Sequence, residues 1–497
     1  VSIALLLDLA VGMAPDRVAV GSGDDGMTFA ELDLQVRAAA VRLRATGAGS
    51  VAFLGLSGPA FHVALFAAAH AGLAITPLNY RLADAQIKDL LGALPTPIVV
   101  ADAAFHSAVA GGYPLMDSAE LLIPVGGAAI EGTWADEVDD EAPAVVLFTS
   151  GTTSTPKGVV LRHSHLVSYV LQTVDPGSAD EADAALVCVP PYHIAGLGTV
   201  LTNTTAGRRV VHLPDFTAEG WLATVASEAI TSAMVVPTML ARVVEHLGGQ
   251  QAHAPALRSI AYGGARISPP VLAKALGAFP DAGFVNAYGL TETSSTIALL
   301  DAEDHRAALA SNDPQARARL GSAGRFVPGI EAQIRDADDR VLSDGEVGEL
   351  WVRGPQVSGE YLGTGSVVDN EGWFPTRDRA HIDAEGYLFI EGRSDDTIIR
   401  GGENIAPAEI EDVLSQHPAV RDVAVIGVPD PEWGERLVAV VVKSEEVDPE
   451  DLRAFVRARL RGSRTPEAVV FTDELPMTPT GKLLRRALVD AYAQQPT

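Results

Sequence analysis

The sequence predicts an α/β protein: a large N-terminal domain, a small β-subdomain and a separate α+β C-terminal domain. Three observations carry this expectation. Through the first half, short apolar runs alternate with helix-like segments, the pattern of parallel strands joined by crossover helices. From about Gly324 to Glu391 the pattern changes to closely spaced alternating strands, IEAQIRD, GELWVRG and GYLFIEG among them, divided by Asp- and Gly-rich turns, which is how a small antiparallel sheet reads. Beyond Arg393 come a helix, two strands, an Arg-rich helix and a further strand, enough for a domain of its own.

Taken in order, VSIALLLDLA reads as a first helix, because it lacks a basic leader and Asp8 interrupts its apolar run. Val51–Leu56 reads as a strand, followed by a turn at Gly58-Pro59 and a helix from Phe61 to His70. Further strands are expected at Val145–Thr149, at Ala185–Val189 and near Val235. In the last part, helices are expected at Ala408–Ser415 and Pro449–Leu460, and strands at Val420–Gly427, Leu437–Val442 and Ala468–Thr472. The domain boundary is placed at Ser394-Asp395, giving domains 1–394 and 395–497 with the β-subdomain at about 324–391. No fixed-period repeat marks a solenoid.

A length of 497 residues exceeds what one core usually serves, and 47% hydrophobic against 20% charged residues is the balance of a folded chain. The formal net charge of -28 argues against nucleic acid or an anionic membrane as the principal partner. Cys188 is the only cysteine, so internal disulfides and multi-cysteine metal sites are excluded, and its Val-Cys-Val setting reads as a buried core thiol. The most apolar stretch, Val63–Ile75, is too short to span a bilayer, and the expected compartment is the cytoplasm.

The sharpest local signal is Thr149-Ser150-Gly151-Thr152-Thr153-Ser154-Thr155-Pro156-Lys157-Gly158, read as a loop between an apolar strand and a helix starting near Ser164. Small residues let backbone amides approach phosphate oxygens, the hydroxyls donate, and Lys157 adds charge. Pro156 before Lys157 and Gly158 after it rule out a Walker A loop. Taken alone, the string is equally a solvated Ser/Thr turn.

Four further segments share that logic. Asn286-Ala287-Tyr288-Gly289-Leu290-Thr291-Glu292 joins a ring that could stack on a purine to a carboxylate suited to Mg²⁺. Asp378 offers a carboxylate to the two hydroxyls of a ribose, although a turn aspartate reads the same way. Gly392-Arg393-Ser394-Asp395-Asp396 with Arg400-Gly401-Gly402-Glu403-Asn404 reads as a hinge. Pro479-Thr480-Gly481-Lys482 forms a tight turn before a terminal helix carrying Arg485 and Arg486.

Together these strings resemble the adenylate-forming superfamily of acyl-CoA synthetases, firefly-type luciferases and peptide-synthetase adenylation domains, along essentially the whole chain and in order. The resemblance implies two doubly wound α/β lobes plus the β-subdomain, with a small mobile C-terminal domain. It also implies ATP, Mg²⁺ and coenzyme A as co-substrates and metal. By resemblance, Thr149 to Thr153 and Lys157 hold phosphates, and Tyr288 stacks on adenine with Gly264 and Ala265 nearby. Asn286, Ala287, Gly289 and Thr291 complete that wall, Glu292 serves Mg²⁺, and Asp378 and Arg393 hold the ribose. Lys482 bridges the reacting oxygens, Thr152 and His193 join it at the reacting centre, and Asp395 is the hinge.

The expected activity is ATP-dependent ligation of a carboxylic acid to CoA through an acyl adenylate, releasing AMP and pyrophosphate. Arg-Gly-Gly-Glu-Asn-Ile at residues 400–405 looks like the CoA-ligase version of the loop, and Trp433 resembles the CoA-adenine stacker. Two other readings stand beside it: an acyl-AMP ligase loading a carrier-protein arm, and an impaired nucleotide-binding homologue. The acid is expected to be fatty or otherwise apolar, in a pocket near His193, Met234 to Thr238 and Gly263 to Arg266, unless Arg266 points inward. Ser154 and Arg377 depart from frequent glycines, and Tyr361 to Gly372 looks shortened. A monomer or homodimer is expected.

Overall fold

The computed structural model describes residues 1–23, 26–123, 138–149, 156–401, 403–431, 433–478 and 483–493. Two large sheets form the N-terminal domain. The first has eight strands and the second nine, and each has a parallel centre with an antiparallel margin. A four-stranded antiparallel sheet covering Glu331–Arg393 and a five-stranded sheet covering Ile398–Phe471 complete the chain. The mixed α/β architecture, with a large N-terminal and a small C-terminal domain, is the expected one.

The parallel centres follow from sequence that is apolar on both faces. Strand Ser50–Leu54 is buried at every position, and the helix after it, Pro59–Ala71, is buried from Phe61 onward. That helix starts with Pro59 after Gly58 and stops at Gly72, whose φ of +70° ends the helical path. Helix Ile194–Ala206 uses the same stop at Gly207. Its start is different: His193 caps it, Nδ1 accepting from the Ala195 amide at 3.2 Å.

The expected elements are present with ends shifted by a few residues. The first strand is Ser50–Leu54, the later ones Pro143–Thr149, Ala184–Val187 and Ser232–Val235, and the C-terminal strands Val420–Asp430 and Gly434–Lys443. Three expectations need correction. The Ser/Thr-rich string does not lead from a strand into a helix: it joins strand Pro143–Thr149 to an antiparallel strand, Lys157–Arg162, and helix His163–Thr173 comes only after that. KGVVLR pairs because its alternate residues pack on the apolar Pro143–Thr149 strand, so no helix N-terminus faces the loop.

The window 324–391 is also not one unit. Arg325–Phe326 extends the nine-stranded sheet, while Glu360–Tyr361 and Gly365–Ser366 extend the eight-stranded one, so the β-subdomain borrows its edges from both lobes. Lastly, the Arg400 to Asn404 string is not an open linker: Ile398–Arg400 pairs with Glu403–Ile405 as a hairpin. Cys188 is buried as expected, its thiol donating to the Met234 carbonyl at 3.3 Å and pushed up to about 12 by burial, which keeps it unreactive. Among the described residues no helix is long and apolar enough to cross a membrane.

Candidate active site

In both large sheets the change from parallel to antiparallel occurs at a hairpin that carries a motif. Strands Pro143–Thr149 and Lys157–Arg162 flank the Ser/Thr loop in one lobe; strands Gly283–Leu290 and Ser295–Leu300 flank the Thr291–Glu292 turn in the other. The segment 358–362 ties them together. The Ser358 and Gly359 amides donate to the Glu292 carbonyl at 2.8 and 3.2 Å, and the Leu362 amide donates to the Gly158 carbonyl at 2.7 Å.

A side-chain chain follows the same seam. The Tyr361 hydroxyl donates to Glu292 Oε1 at 2.8 Å, and Lys157 Nζ lies 5.6 Å from the Tyr361 ring centre. Burial, then the Glu292 charge, pushes the Tyr361 hydroxyl up, so it stays a donor and orients the carboxylate. A carboxylate with its second oxygen uncommitted in the printed geometry is a hard oxygen ligand. That suits Mg²⁺, which takes few protein ligands and completes its shell with phosphates and water.

Deeper in the cleft the Tyr288 hydroxyl donates to Asp378 Oδ2 at 2.5 Å, and Arg393 Nη1 donates to Oδ1 at 3.0 Å. Asp378 is only 4% exposed. Burial, followed by the Asp378 charge, raises the Tyr288 hydroxyl well above its ordinary value. Burial opposes the Arg393 charge, but Asp378 foremost more than offsets it and holds the guanidinium above its usual value. A buried carboxylate gripped on both oxygens has a fixed orientation, which a diol contact requires. Asp378 follows Arg377, which takes φ +64° although it is not glycine.

The residues expected around the base fall into place unevenly. Gly263 and Gly264 end a central strand beside Ala287, and a Cβ at Gly263 would overlap the Ala287 carbonyl, so the walls meet only because that residue is glycine. Gly264, at φ +83°, leaves 3.7 Å between a notional Cβ and the His193 ring, and Ala265 is exposed next to it. Gly289 and Thr291 continue the strand and turn that carry Tyr288 and Glu292. Asn286 is committed elsewhere, its amide donating to the Ser322 carbonyl at 2.9 Å. Thr149 Oγ1 donates to the Lys157 carbonyl at 3.4 Å across the base of the loop. Ser150, Gly151, Thr152, Thr153, Gly402 and Lys482 lie outside the described residues.

Gly401 and Trp433 form a separate unit in the C-terminal domain. The Gly401 amide donates to the Trp433 carbonyl at 2.7 Å, and a Cβ at Gly401 would sit 2.9 Å from the indole. The Arg400 guanidinium covers one face of that ring at 4.6 Å, and the indole is otherwise 42% exposed. Asp395 is exposed in the one-turn helix Ser394–Asp396, whose neighbour Asp396 is paired with Arg485 at 3.4 Å. Arg266 does not point into the large domain: it pairs with Asp412 on helix Pro407–Leu414.

A cavity of about 430 Å³ lies behind the Tyr288 strand, between helices His163–Thr173 and Ile194–Ala206 on one side and the nine-stranded sheet on the other. Ala195, Met234, Ala261, Ala287 and Leu299 line its body. Of the expected pocket residues only Met234 borders it; His193 stands beside Gly264 instead. Sequence reading missed Tyr361, Tyr169, Thr199 and Arg208. Each comes from a different element, so only the fold collects them.

Comparison with known proteins agrees with this arrangement. The family model for AMP-binding enzymes matches residues 7–362, and that for the AMP-binding enzyme C-terminal domain matches 409–482. A feruloyl-CoA synthase from Amycolatopsis sp is 35% identical over 95% of both chains. A fatty acid–[acyl-carrier-protein] ligase, ScoC, from Streptomyces coeruleorubidus is 33% identical over 94% of this chain and 92% of its own. The solved o-succinylbenzoate CoA synthetase MenE from Bacillus subtilis, in complex with its acyl-adenylate intermediate, superposes with a TM-score of 0.84 at 28% identity over 97% of both chains.

Proposed function

The chain belongs to the AMP-binding enzyme family, and from that premise we propose that it activates an aryl or other flat apolar acid in the cavity behind Tyr288. It is an ATP-dependent, AMP-forming acid–thiol ligase that joins a carboxylic acid to coenzyme A through an acyl adenylate. The observation that carries the acid reading is the cavity itself: its alanine-rich body opens along the strand that bears the Tyr288–Asp378 pair, so an acid within it points its carboxylate at the nucleotide. The feruloyl-CoA synthase relative supports an aromatic acid over a long alkyl chain. The carrier-protein ligase relative keeps a pantetheine arm as the second reading of the acceptor.

In the first half-reaction a carboxylate oxygen of the acid forms a bond to the α-phosphorus of ATP, and the bond to pyrophosphate breaks. The acid is already ionised near neutral pH and needs no general base. Lys157 and Lys482 offer positive charge to the phosphates, and Tyr288, Asp378 and Arg393 fix the nucleoside. Mg²⁺ held by Glu292 would neutralise phosphate charge. In the second half-reaction the thiol sulfur bonds to the acyl carbon and AMP leaves with its electron pair. Gly401, Gly402 and Trp433 then border the thiol's path, with Asp395 as hinge between domains 1–394 and 395–497. Thr152 and His193 flank the reacting atoms. We place the enzyme in the cytoplasm, as a monomer or homodimer.

The test is CoA-dependent AMP formation across a panel of aryl, branched and straight-chain acids. The reading expects aryl acids to lead; a clear preference for long alkyl chains overturns it. Lys482→Ala serves as control, abolishing adenylate formation while sparing thioester formation from presynthesised acyl-AMP.

A further inference from the structure

The cavity is not uniform along its length. The parallel strands that wall it end at the nucleotide edge, so their first residues mark the far end, where Ser232 and Ser259 are register partners. Asn203 lies eight residues beyond Ala195 on the cavity helix, roughly 12 Å further from the nucleotide at 1.5 Å per residue. The chain that leaves helix His163–Thr173 passes the same end, the Gly177 amide donating to the Thr205 carbonyl. Gln172, Thr173 and Val174 therefore border the far end together with Asn203 and Arg208.

Polar groups in the body of the cavity are already satisfied. Thr199 and Thr202 donate their hydroxyls back to the Ala195 and Gly198 carbonyls at 2.6 and 2.8 Å, and a threonine so engaged offers its methyl. The Tyr169 hydroxyl is hydrogen-bonded with Ser295 and Thr296. The far end differs. Arg208 donates to Asn203 Oδ1 at 3.2 Å and has no carboxylate partner among the described residues, whereas the adjacent Arg209 holds Glu228 at 2.7 Å and Arg258 pairs with Asp183. In a chain of net charge -28, an arginine that borders a cavity without an acidic partner needs an explanation. Gln172 Oε1 is buried there with no hydrogen-bond partner, and the Ser232 and Ser259 hydroxyls make no hydrogen bond to the described residues.

Resting on the reading of this cavity as the acid site, we infer that its far end selects acids bearing a hydroxyl on the end of the molecule remote from the carboxylate, with Arg208 and Gln172 as the specificity-determining residues. A guanidinium can only donate and Gln172 Oε1 can only accept, so the group that answers both is one that accepts and donates at a single oxygen. A phenolic hydroxyl does this. A methyl terminus answers neither, and a carboxylate would face the Gln172 oxygen. Sites built to hydrogen-bond a hydroxyl discriminate strongly against analogues that lack it, because their own polar groups are then stranded.

The experiment compares para-hydroxycinnamate with cinnamate as acids in CoA-dependent AMP release, using the full-length chain, its Arg208→Met variant and, as an independent probe of the same end, Gln172→Leu. The intact enzyme is expected to favour the hydroxylated acid by about tenfold or more in kcat/KM. Each variant is expected to bring that ratio within about threefold of unity, while turnover of cinnamate changes little. Comparable ratios in all three proteins, or a loss that falls equally on both acids, overturns the inference. If neither aromatic acid turns over but an alkyl acid does, it is the underlying reading of the cavity that fails.

Discussion

The two ends of this active site are built on opposite principles. At the nucleotide end the titratable groups hold one another: Tyr288 and Arg393 grip Asp378, and Tyr361 grips Glu292. At the acid end the helix that walls the cavity satisfies its own threonines, and the remaining polar groups at the far end are left for a ligand. The first arrangement is orientation prepared in advance for a ligand that never changes; the second leaves donors and acceptors open for one that must be recognised.

The sharpest way to break that contrast is Asp378→Asn. It keeps the shape but removes the charge that Arg393 faces in the cleft, and adenylation kcat/KM should fall by about 10²–10³-fold, or ~3–4 kcal/mol. Retention of activity within a few fold would mean that the network is structural only. The next effect belongs to the acid end. His62, fully buried, shares a hydrogen bond of 2.8 Å with Thr204 on the far side of the cavity helix, and burial, with His212 adding to it, lowers it to about 3. The folded state therefore binds this proton more weakly than the unfolded chain does. Its contribution is complete above the ordinary histidine value and is lost as pH falls through the window from about 6.5 to 3. Between pH 7 and 5 this one group should cost about 2 kcal/mol, seen as a lower urea midpoint, and His62→Gln should flatten that slope. An unchanged slope in the variant would move the effect elsewhere.

Smaller effects sharpen the picture. Tyr361→Phe removes one neutral donor from Glu292, worth about 1 kcal/mol, so the Mg²⁺ concentration for half-maximal adenylation should rise about fivefold with the acid KM unmoved. A change in acid KM instead would join the two ends that the structure separates. Arg377→Gly should relieve a left-handed residue at ~1 kcal/mol, partly offset by glycine's greater chain entropy, for a rise in Tm of a few degrees or less. A fall in Tm would mean that Arg377's exposed side chain contributes more than its backbone strain costs.

The same contrast decides what could be read from the sequence. The nucleotide end was legible because it is made of local loops, where one string such as NAYGLTE supplies backbone, ring and carboxylate together. Even there the local setting was misread: KGVVLR is a strand that turns the Ser/Thr string into a hairpin, and Arg400 to Asn404 pairs instead of hanging free. Tyr361 escaped notice because its partner Glu292 is 69 positions away. The acid cavity takes residues from two helices and several strands, Arg208 sitting in a plain Gly-Arg-Arg run, so no string announces it. Met234 was named for its neighbourhood, but His193, Gly263 and Arg266 were assigned to a pocket that they do not line.

Arg266 found a different occupation, and it has a bearing on how the two domains work together. Its partner Asp412 is pushed up by burial, with Arg266 only partly answering, and the arginine is itself half-exposed. Such a clasp is worth about 0–1 kcal/mol, comparable with thermal energy. A clasp that weak stores no spring and imposes no resting posture. The orientation of the small domain at any moment is then dictated by the contents of the cleft, and added salt should loosen the clasp without harming either domain's interior.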